Sequence, residues 1–443
     1  MKDSPILLKI KKEGMSFLKA ASEIDERIYL ILFTLYLVIY FILNISWEIR
    51  AGQVISNVRY ALLGVVMWGS AVYLFFVIAA WKDLWRNNFL LLLIGILLVG
   101  ATAIFSKEMT TNAYGVVMDI FFIVMAYRKD YRKMLRIILV VSVVMLLVAG
   151  IGMRTGFALD MVKPENIHPG HSLGIVYPNT WGYLAFLVLM VFWYLFLRNR
   201  IIITVLVFWA VSLFMYFYIC CRTIAGITLV FPVMAVVVDL IERKTKKQDR
   251  ISPVGWVVVA IPFLAFGFMM FMSMQYKWLH KHFYQTWFHN LAMRFVQGGL
   301  YFKTYGLPLV GNPYRSNVHT YVNVNGSFEE VGILDSSFAS YMIMRGLLWI
   351  LMVMCWLCLA HWKALKKHDF GIPFLSLIIL LFAMMERPGL EMWYNFILLY
   401  PLAKVVSKTG EATGEENTPE LSESADAEGL IRDEIEVTAE SPE

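Results

Sequence analysis

Twelve side chains in this sequence have the types and positions to handle a charged substrate. His171 lies in the run Gly170-His171-Ser172-Leu173-Gly174-Ile175-Val176-Tyr177-Pro178-Asn179. The surrounding stretch is dense in turn formers, with Pro164, Asn166 and Pro169 before the run. Arg154, His168, Tyr177 and Asn179 share that connection. Arg222 follows the pair Cys220-Cys221. Arg294 falls in a segment whose pattern predicts a helix from about Thr286 to Tyr305, and Arg315 and His319 come after it. Asp335 and Arg345 open the next apolar run, and Glu386 begins the turn Glu386-Arg387-Pro388-Gly389. A planar guanidinium fork matches the oxygens of a phosphate in bidentate fashion. Histidine is the side chain best placed to exchange a proton near neutral pH. These types together make a cationic pocket for an anionic substrate. His171, Arg222 and Arg294 are the candidate catalytic groups. Arg154, His168, Tyr177, Asn179, Arg315, His319, Asp335, Arg345 and Glu386 are the candidate substrate contacts. His168 and His171 have no third ligand nearby in sequence, so neither a metal site nor a cofactor is expected.

The elements that must hold these residues are membrane helices. Of 443 residues, 59% are hydrophobic and 16% charged, far too apolar for a soluble domain of this size. The apolar residues form blocks long enough to cross a hydrocarbon core. Twelve spans are predicted: 28–46, 60–80, 89–105, 113–127, 135–152, 179–197, 201–219, 223–240, 254–273, 337–360, 371–385 and 390–406. The last two are short and could form a re-entrant pair. The fold class expected is all-α, polytopic, with one large extracellular loop of 63 residues, 274–336. No cleavable signal is evident, because the residues before the first span are mostly polar and basic.

Lysine and arginine set the orientation. With the N-terminus in the cytoplasm, the inside segments hold 26 Lys and Arg and the outside segments 12. Both termini are therefore expected inside. The net charge of +6 reflects this topology and does not point to nucleic acid. The three domains expected are a cytoplasmic amphipathic N-terminus (1–27), a membrane domain (28–406) and an acidic tail (407–443). Residues 5–21 set apolar side chains against several lysines and read as an amphipathic helix on membrane lipids. Residues 409–443 are acidic and lack aromatics, a composition that cannot bury enough apolar surface to fold. Cys355 and Cys358 have a redox spacing, but within an apolar helix they read as core packing. Asp119, near the middle of the fourth span, needs a partner in the bundle, and Arg345 could reach up to the outer interface.

Four blocks resemble a known family. His171-Ser-Leu-Gly-Ile-Val-Tyr-Pro178-Asn179 is similar to the His-Ser-Leu-Gly-Phe-x-His-Pro-Asn segment of Wzy-type polysaccharide polymerases. Cys221-Arg222-Thr223-Ile224-Ala225 resembles their Ser-Arg-Thr block at a span start. Arg294 followed by Tyr305-Gly306-Leu-Pro308-Leu-Val-Gly311-Asn312 looks like their arginine helix and Pro-Leu-x-Gly turn. Asp335-Ser-Ser-Phe338 leading to Met344-Arg345-Gly346 is similar to their Asp-x-x-Tyr and Arg-x-Gly. The departures are Tyr177 where His is common, Cys221 where Ser is common, and Asn312 where a second Gly is common.

The resemblance implies a fold similar to the C class of glycosyltransferases, like that of the O-antigen ligases. It implies a metal-independent polymerase of undecaprenyl-diphosphate-linked repeat units, making O-antigen, capsule or exopolysaccharide at the outer face of the bacterial cytoplasmic membrane. Implied partners are those lipid-linked glycans, membrane lipids, and a chain-length regulator or other polysaccharide-assembly proteins. Two other readings compete. A ligase would share the site and differ in acceptor. A transporter or flippase should show broken, polar helices in two related halves, whereas most spans here are smooth.

Overall fold

A computed structural model describes residues 5–42, 44–47, 49–80, 112–162, 170–198, 200–245, 253–283, 289–311, 320–324, 327–331 and 336–405. The chain divides into two units, Met1–Lys404 and Val405–Glu443. The third predicted span and the acidic tail lie outside the described residues.

Among the described residues the architecture is helical apart from one hairpin. The helices are α1 (Pro5–Ile42), α2 (Ile49–Ala80), α3 (Asn112–Met125), α4 (Tyr131–Thr155), α5 (Pro178–Phe192), α6 (Ile201–Phe214) and α7 (Arg222–Thr245). They continue with α8 (Pro253–Met274), α9 (Tyr276–Phe283), α10 (His289–Tyr305), α11 (Ser337–Arg345), α12 (Leu347–Lys366) and α13 (Gly371–Met385). Both α5 and α6 end in a π-helical turn, reaching Leu197 and Ile219. Among the described residues, six segments are long and apolar enough to cross a membrane: Tyr131–Thr155, Pro178–Leu197, Ile201–Ile219, Arg222–Glu242, Pro253–Met274 and Leu347–Lys366. Their outward faces carry large apolar side chains, such as Val140, Val144, Leu147 and Ile151 on α4, and Val230, Val233 and Val237 on α7. Such a continuous exposed apolar surface suits lipid, not water.

Local signals fix several helix ends. Asp130 caps α4, accepting from the backbone N–H of Arg132 (2.8 Å) and Lys133 (3.4 Å). Gly156 closes the same helix with a left-handed φ of 80°. Pro178 occupies the first turn of α5, where its missing N–H costs nothing.

The core sits around α13, whose residues are nearly all buried against α7, α8, α11 and α12. Phe208 and Phe231 stack at 4.4 Å, and Trp193 and Phe374 pack edge-on at 5.2 Å, joining α5, α6, α7 and α13.

The links between helices knit together in two groups. The link after α1 pairs with the α4–α5 link: Ser46 N–H donates to Gly174 O (2.9 Å), Leu159 N–H to Ser46 O (2.7 Å) and Val176 N–H to Asn44 O (2.8 Å). The α4–α5 link in turn meets the α6–α7 link through His171 N–H on Tyr218 O (3.2 Å). The second group joins the turn before α4 to the chain after α13. Arg128 N–H donates to Leu402 O (2.9 Å) and Lys404 N–H to Lys129 O (2.7 Å). Arg198 there bridges Asp369 and Glu242, both at 2.6 Å.

Several expectations are corrected. The stretch 5–21 is helical, as expected, and continues without a break into the first span as α1, Pro5–Ile42. The span 337–360 breaks at Gly346, whose φ is 90°. The last span, 390–406, is not a helix. Residues 387–404 form two short 3₁₀ turns and loops, and Met392, Tyr394, Phe396, Ile397 and Leu399 are fully buried. This chain starts beside Ser337 and finishes against Lys129, with most of its side chains buried in protein. Irregular backbone is tolerated at such depth where protein surrounds it. The large loop 274–336 holds α9, α10 and an antiparallel hairpin, β1 (Thr320–Val324) with β2 (Ser327–Val331), pairing Tyr321 with Glu330. Cys355 is exposed and Cys358 half-buried, so neither is a core residue.

Candidate functional site

The connection from α4 to α5 folds around Asp160. Its Oδ2 lies 2.7 Å from Nδ1 of His171. Its Oδ1 accepts from the backbone N–H of Ser172 (2.8 Å) and of Leu173 (3.0 Å). An ionised carboxylate can only accept, so the proton sits on Nδ1 and Nε2 of a neutral His171 offers its lone pair. Burial alone would raise the Asp160 carboxyl. The hydrogen bonds from His171, Leu173 and Ser172 outweigh it and hold the group below its ordinary range. The His171 ring stacks on Tyr218, with centroids 4.8 Å apart and an interplanar angle of 20°. The imidazole is thus clamped on two sides, yet 28% of its side chain is exposed and Asp160 25%. That is the arrangement of an oriented base open to a substrate.

Two of the four non-glycine residues with positive φ among the described residues lie here, the others being Arg128 and His368. Leu173 (φ 50°) and Cys220 (φ 60°) both sit in the left-handed region. Such positions cost on the order of 1–3 kcal/mol each and gather at sites whose surroundings over-determine them. Cys220 leads into Cys221, whose Sγ–H donates to Pro178 O at 3.0 Å and lies 3.4 Å from Asn179 Oδ1. Arg222 is the next residue, exposed at the start of α7. The structure therefore brings His171, Tyr177, Asn179 and Arg222 to one junction of three chain segments. Tyr177 is 66% exposed there and precedes Pro178. Arg154 is exposed in the last turn of α4, at the start of the same connection.

Other expected members are carried elsewhere. Arg294 is half-buried on α10, whose main neighbours are α8, α9 and α11, a different set of helices from those around His171. Arg345 does not reach the outer interface as expected. It is 8% exposed at the end of α11, with its guanidinium 4.1 Å above the Tyr341 ring and 5.3 Å from that of Trp349. Glu386 is buried and accepts from the Tyr183 hydroxyl of α5, one turn along from Asn179. Asp119 finds its bundle partners in the Tyr36 hydroxyl (2.8 Å) and the Met392 N–H (3.4 Å), and the charge of Arg345 acts on it. His168, Arg315, His319 and Asp335 lie outside the described residues.

Sequence reasoning missed Asp160, Tyr218 and Glu391. For Asp160 a signal existed, an acid eleven residues before His171 in the same turn-rich connection. Tyr218 had none, since one more aromatic in an apolar span reads as core. No family model, no curated protein and no solved structure matches this chain.

Proposed function

We propose that the chain is a membrane glycosyltransferase of the polysaccharide polymerase type, taking a lipid-diphosphate-linked glycan as donor. The observation that carries the reading is the His171–Asp160 pair at a junction of helix links, which the chain entering Arg222 joins through Tyr218 and Cys221. In the proposed step an acceptor hydroxyl attacks the anomeric carbon of the donor. The bond from that carbon to the diphosphate oxygen breaks, and the hydroxyl proton passes to Nε2 of His171. Asp160 stabilises the imidazolium so formed. Arg222 neutralises the departing diphosphate, and Arg294, held among other helices, is left out of the step. The junction then faces outward, both termini are cytoplasmic, and the chain makes twelve crossings, the last without α-helix. The lipid tail of the donor would lie along the apolar outer faces of α4 and α6. The resemblance of the four sequence blocks to Wzy-type polymerases supports the same reading.

The test is a glycan ladder made by purified protein given lipid-linked repeat units without divalent metal. Wild type should give long ladders. Arg222→Ala should lose roughly 10²–10³ in rate, as for other preorganised charge stabilisers. Arg222→Lys should recover little, since an ammonium lacks the planar fork. A wild-type protein that makes no ladder from authentic repeats would overturn the reading.

A further inference from the structure

The non-helical segment Glu386–Asn395 carries polar groups that the proposed transfer step does not use. Glu391 is partly exposed and gathers three donors: the Tyr40 hydroxyl (2.7 Å), the Tyr341 hydroxyl and the Trp393 indole N–H. The Tyr40 and Trp393 rings lie 4.9 Å apart at 31°. Two further atoms are orphans. The Tyr394 hydroxyl, on a side chain 0% exposed, has no hydrogen-bond partner among the described residues, although the Glu386 charge acts on it. The Asn395 Oδ1, on a side chain 1% exposed, also has none among them, while its Nδ2 donates to Gly389 O at 3.2 Å.

Buried polar atoms are almost always satisfied by protein or ordered water, so a donor and an acceptor left open in one segment can be met by a hydroxyl-bearing guest in place of water. The guest must both donate and accept at short range, which a hydroxyl does. Two carboxylates in the same segment repel a phosphate, and tyrosine and tryptophan rings favour a ligand with apolar faces. A neutral sugar meets all of these conditions. We infer that Glu386–Asn395, with Tyr40, Tyr183 and Tyr341 around it, is a subsite for neutral sugar residues of the acceptor glycan. The inference rests on the glycosyltransferase reading for the word acceptor, while sugar binding itself does not. Charge then divides the molecule's task, with cationic groups for the diphosphate end and an acidic, aromatic segment for the hydroxyl-rich end. The Tyr183–Glu386 contact ties the segment to α5, which begins at the His171 junction.

The experiment uses the full chain in lipid nanodiscs with methyl glycosides of neutral hexoses and N-acetylhexosamines as probes. Saturation-transfer NMR reads binding, and the lipid-linked repeat assay reads the acceptor KM. Wild type should transfer saturation to the sugar C–H protons. Glu391→Gln should abolish it. Tyr394→Phe removes no bond present in the structure, so its thermal midpoint should hold. Its affinity and acceptor KM should nevertheless worsen roughly three- to tenfold, the worth of one hydrogen bond. Arg222→Ala should lose the ladder and keep sugar saturation. Saturation in wild type that Glu391→Gln abolishes, with no ladder from any protein, would keep the subsite and sink the polymerase reading. Unchanged saturation and acceptor KM in both Tyr394→Phe and Glu391→Gln would overturn the subsite, as would absence of saturation in wild type.

Discussion

At the scale of single residues, the imidazole of His171 is useful because of what holds it. Asp160 bonds Nδ1 and Tyr218 stacks on the ring, which in the proposed step leaves Nε2 for substrate. His171→Ala should slow ladder formation by roughly 10²–10⁴, the usual contribution of a positioned base. Asp160→Asn should slow it less, because the base remains and only its orientation and imidazolium stabilisation suffer. Asp160 also predicts a pH dependence with a definite sign. Its carboxyl is held below the unfolded value, so the folded protein binds fewer protons than the unfolded chain in the acid range. The stability it supplies is complete above the unfolded carboxyl pKa of about 4 and is lost as pH falls through the lower folded value. The gap in thermal midpoint between wild type and Asp160→Asn should therefore hold from pH 7 to 5 and shrink steadily as pH falls below about 4. A gap that does not shrink there would contradict this account of the carboxylate.

Elements meet at this site with little slack. Gly174 has a φ of 84°, and a Cβ built there would lie 2.2 Å from Ala149 O on α4. Gly174→Ala adds both a disfavoured backbone region, at about 1–3 kcal/mol, and a collision with the neighbouring helix. The variant should show a lower melting midpoint and a collapse of ladder activity, with the second loss exceeding that explained by folded fraction. The opposite group of links depends on one arginine. Arg198 joins α5 to the turn before α13 and to α7 through Asp369 and Glu242, with 11% of its side chain exposed. Removing one partner of a buried ion pair leaves an uncompensated charge, so Arg198→Ala should cost about 3–5 kcal/mol. Denaturation in mild detergent would measure this, and a change under 1 kcal/mol would show that the bridge is a solvated surface pair. Gly346 does similar work between α11 and α12, where a φ of 90° turns the chain with Leu309 O 2.3 Å from a built Cβ.

For the whole molecule, the central prediction is orientation. Thr155 closes α4 beside the His171 connection, and Lys133 opens the same helix beside Lys404 and Glu26. With cysteine at each place, a membrane-impermeant maleimide should label Thr155→Cys in intact cells. Lys133→Cys should react only after permeabilisation. The reverse pattern would place the candidate site in the cytoplasm and remove the lipid-linked donor from its reach. Much of the scaffold was legible in advance, since apolar block length and loop punctuation need no tertiary knowledge. Predicted spans at 135–152, 179–197, 201–219, 223–240 and 254–273 coincide with α4 to α8 within a few residues. The helix predicted from about Thr286 appears as His289–Tyr305. The form of the last apolar segment was not legible. Residues 390–406 are as apolar as a span, and hydropathy does not distinguish a helix in lipid from irregular chain enclosed by protein.

The sequence by itself determined the solvent. A chain this apolar suits a bilayer, and its turn-rich polar connections fall between the apolar blocks. Tertiary structure decided which residues of those connections come together. Asp160 and His171 are only eleven residues apart, but their pairing depends on the connection curling so that one carboxylate oxygen meets two backbone N–H groups. Tyr218, Cys221 and Arg222 reach the same place from another hairpin of helices, which no local pattern encodes. Arg345 was pulled inward to Tyr341 and Trp349 instead of outward to headgroups. The reason is one of range. Hydropathy and turn propensity act within a few residues along the chain, whereas hydrogen bonds and ring contacts act within a few ångströms across it, and only packing converts one distance into the other.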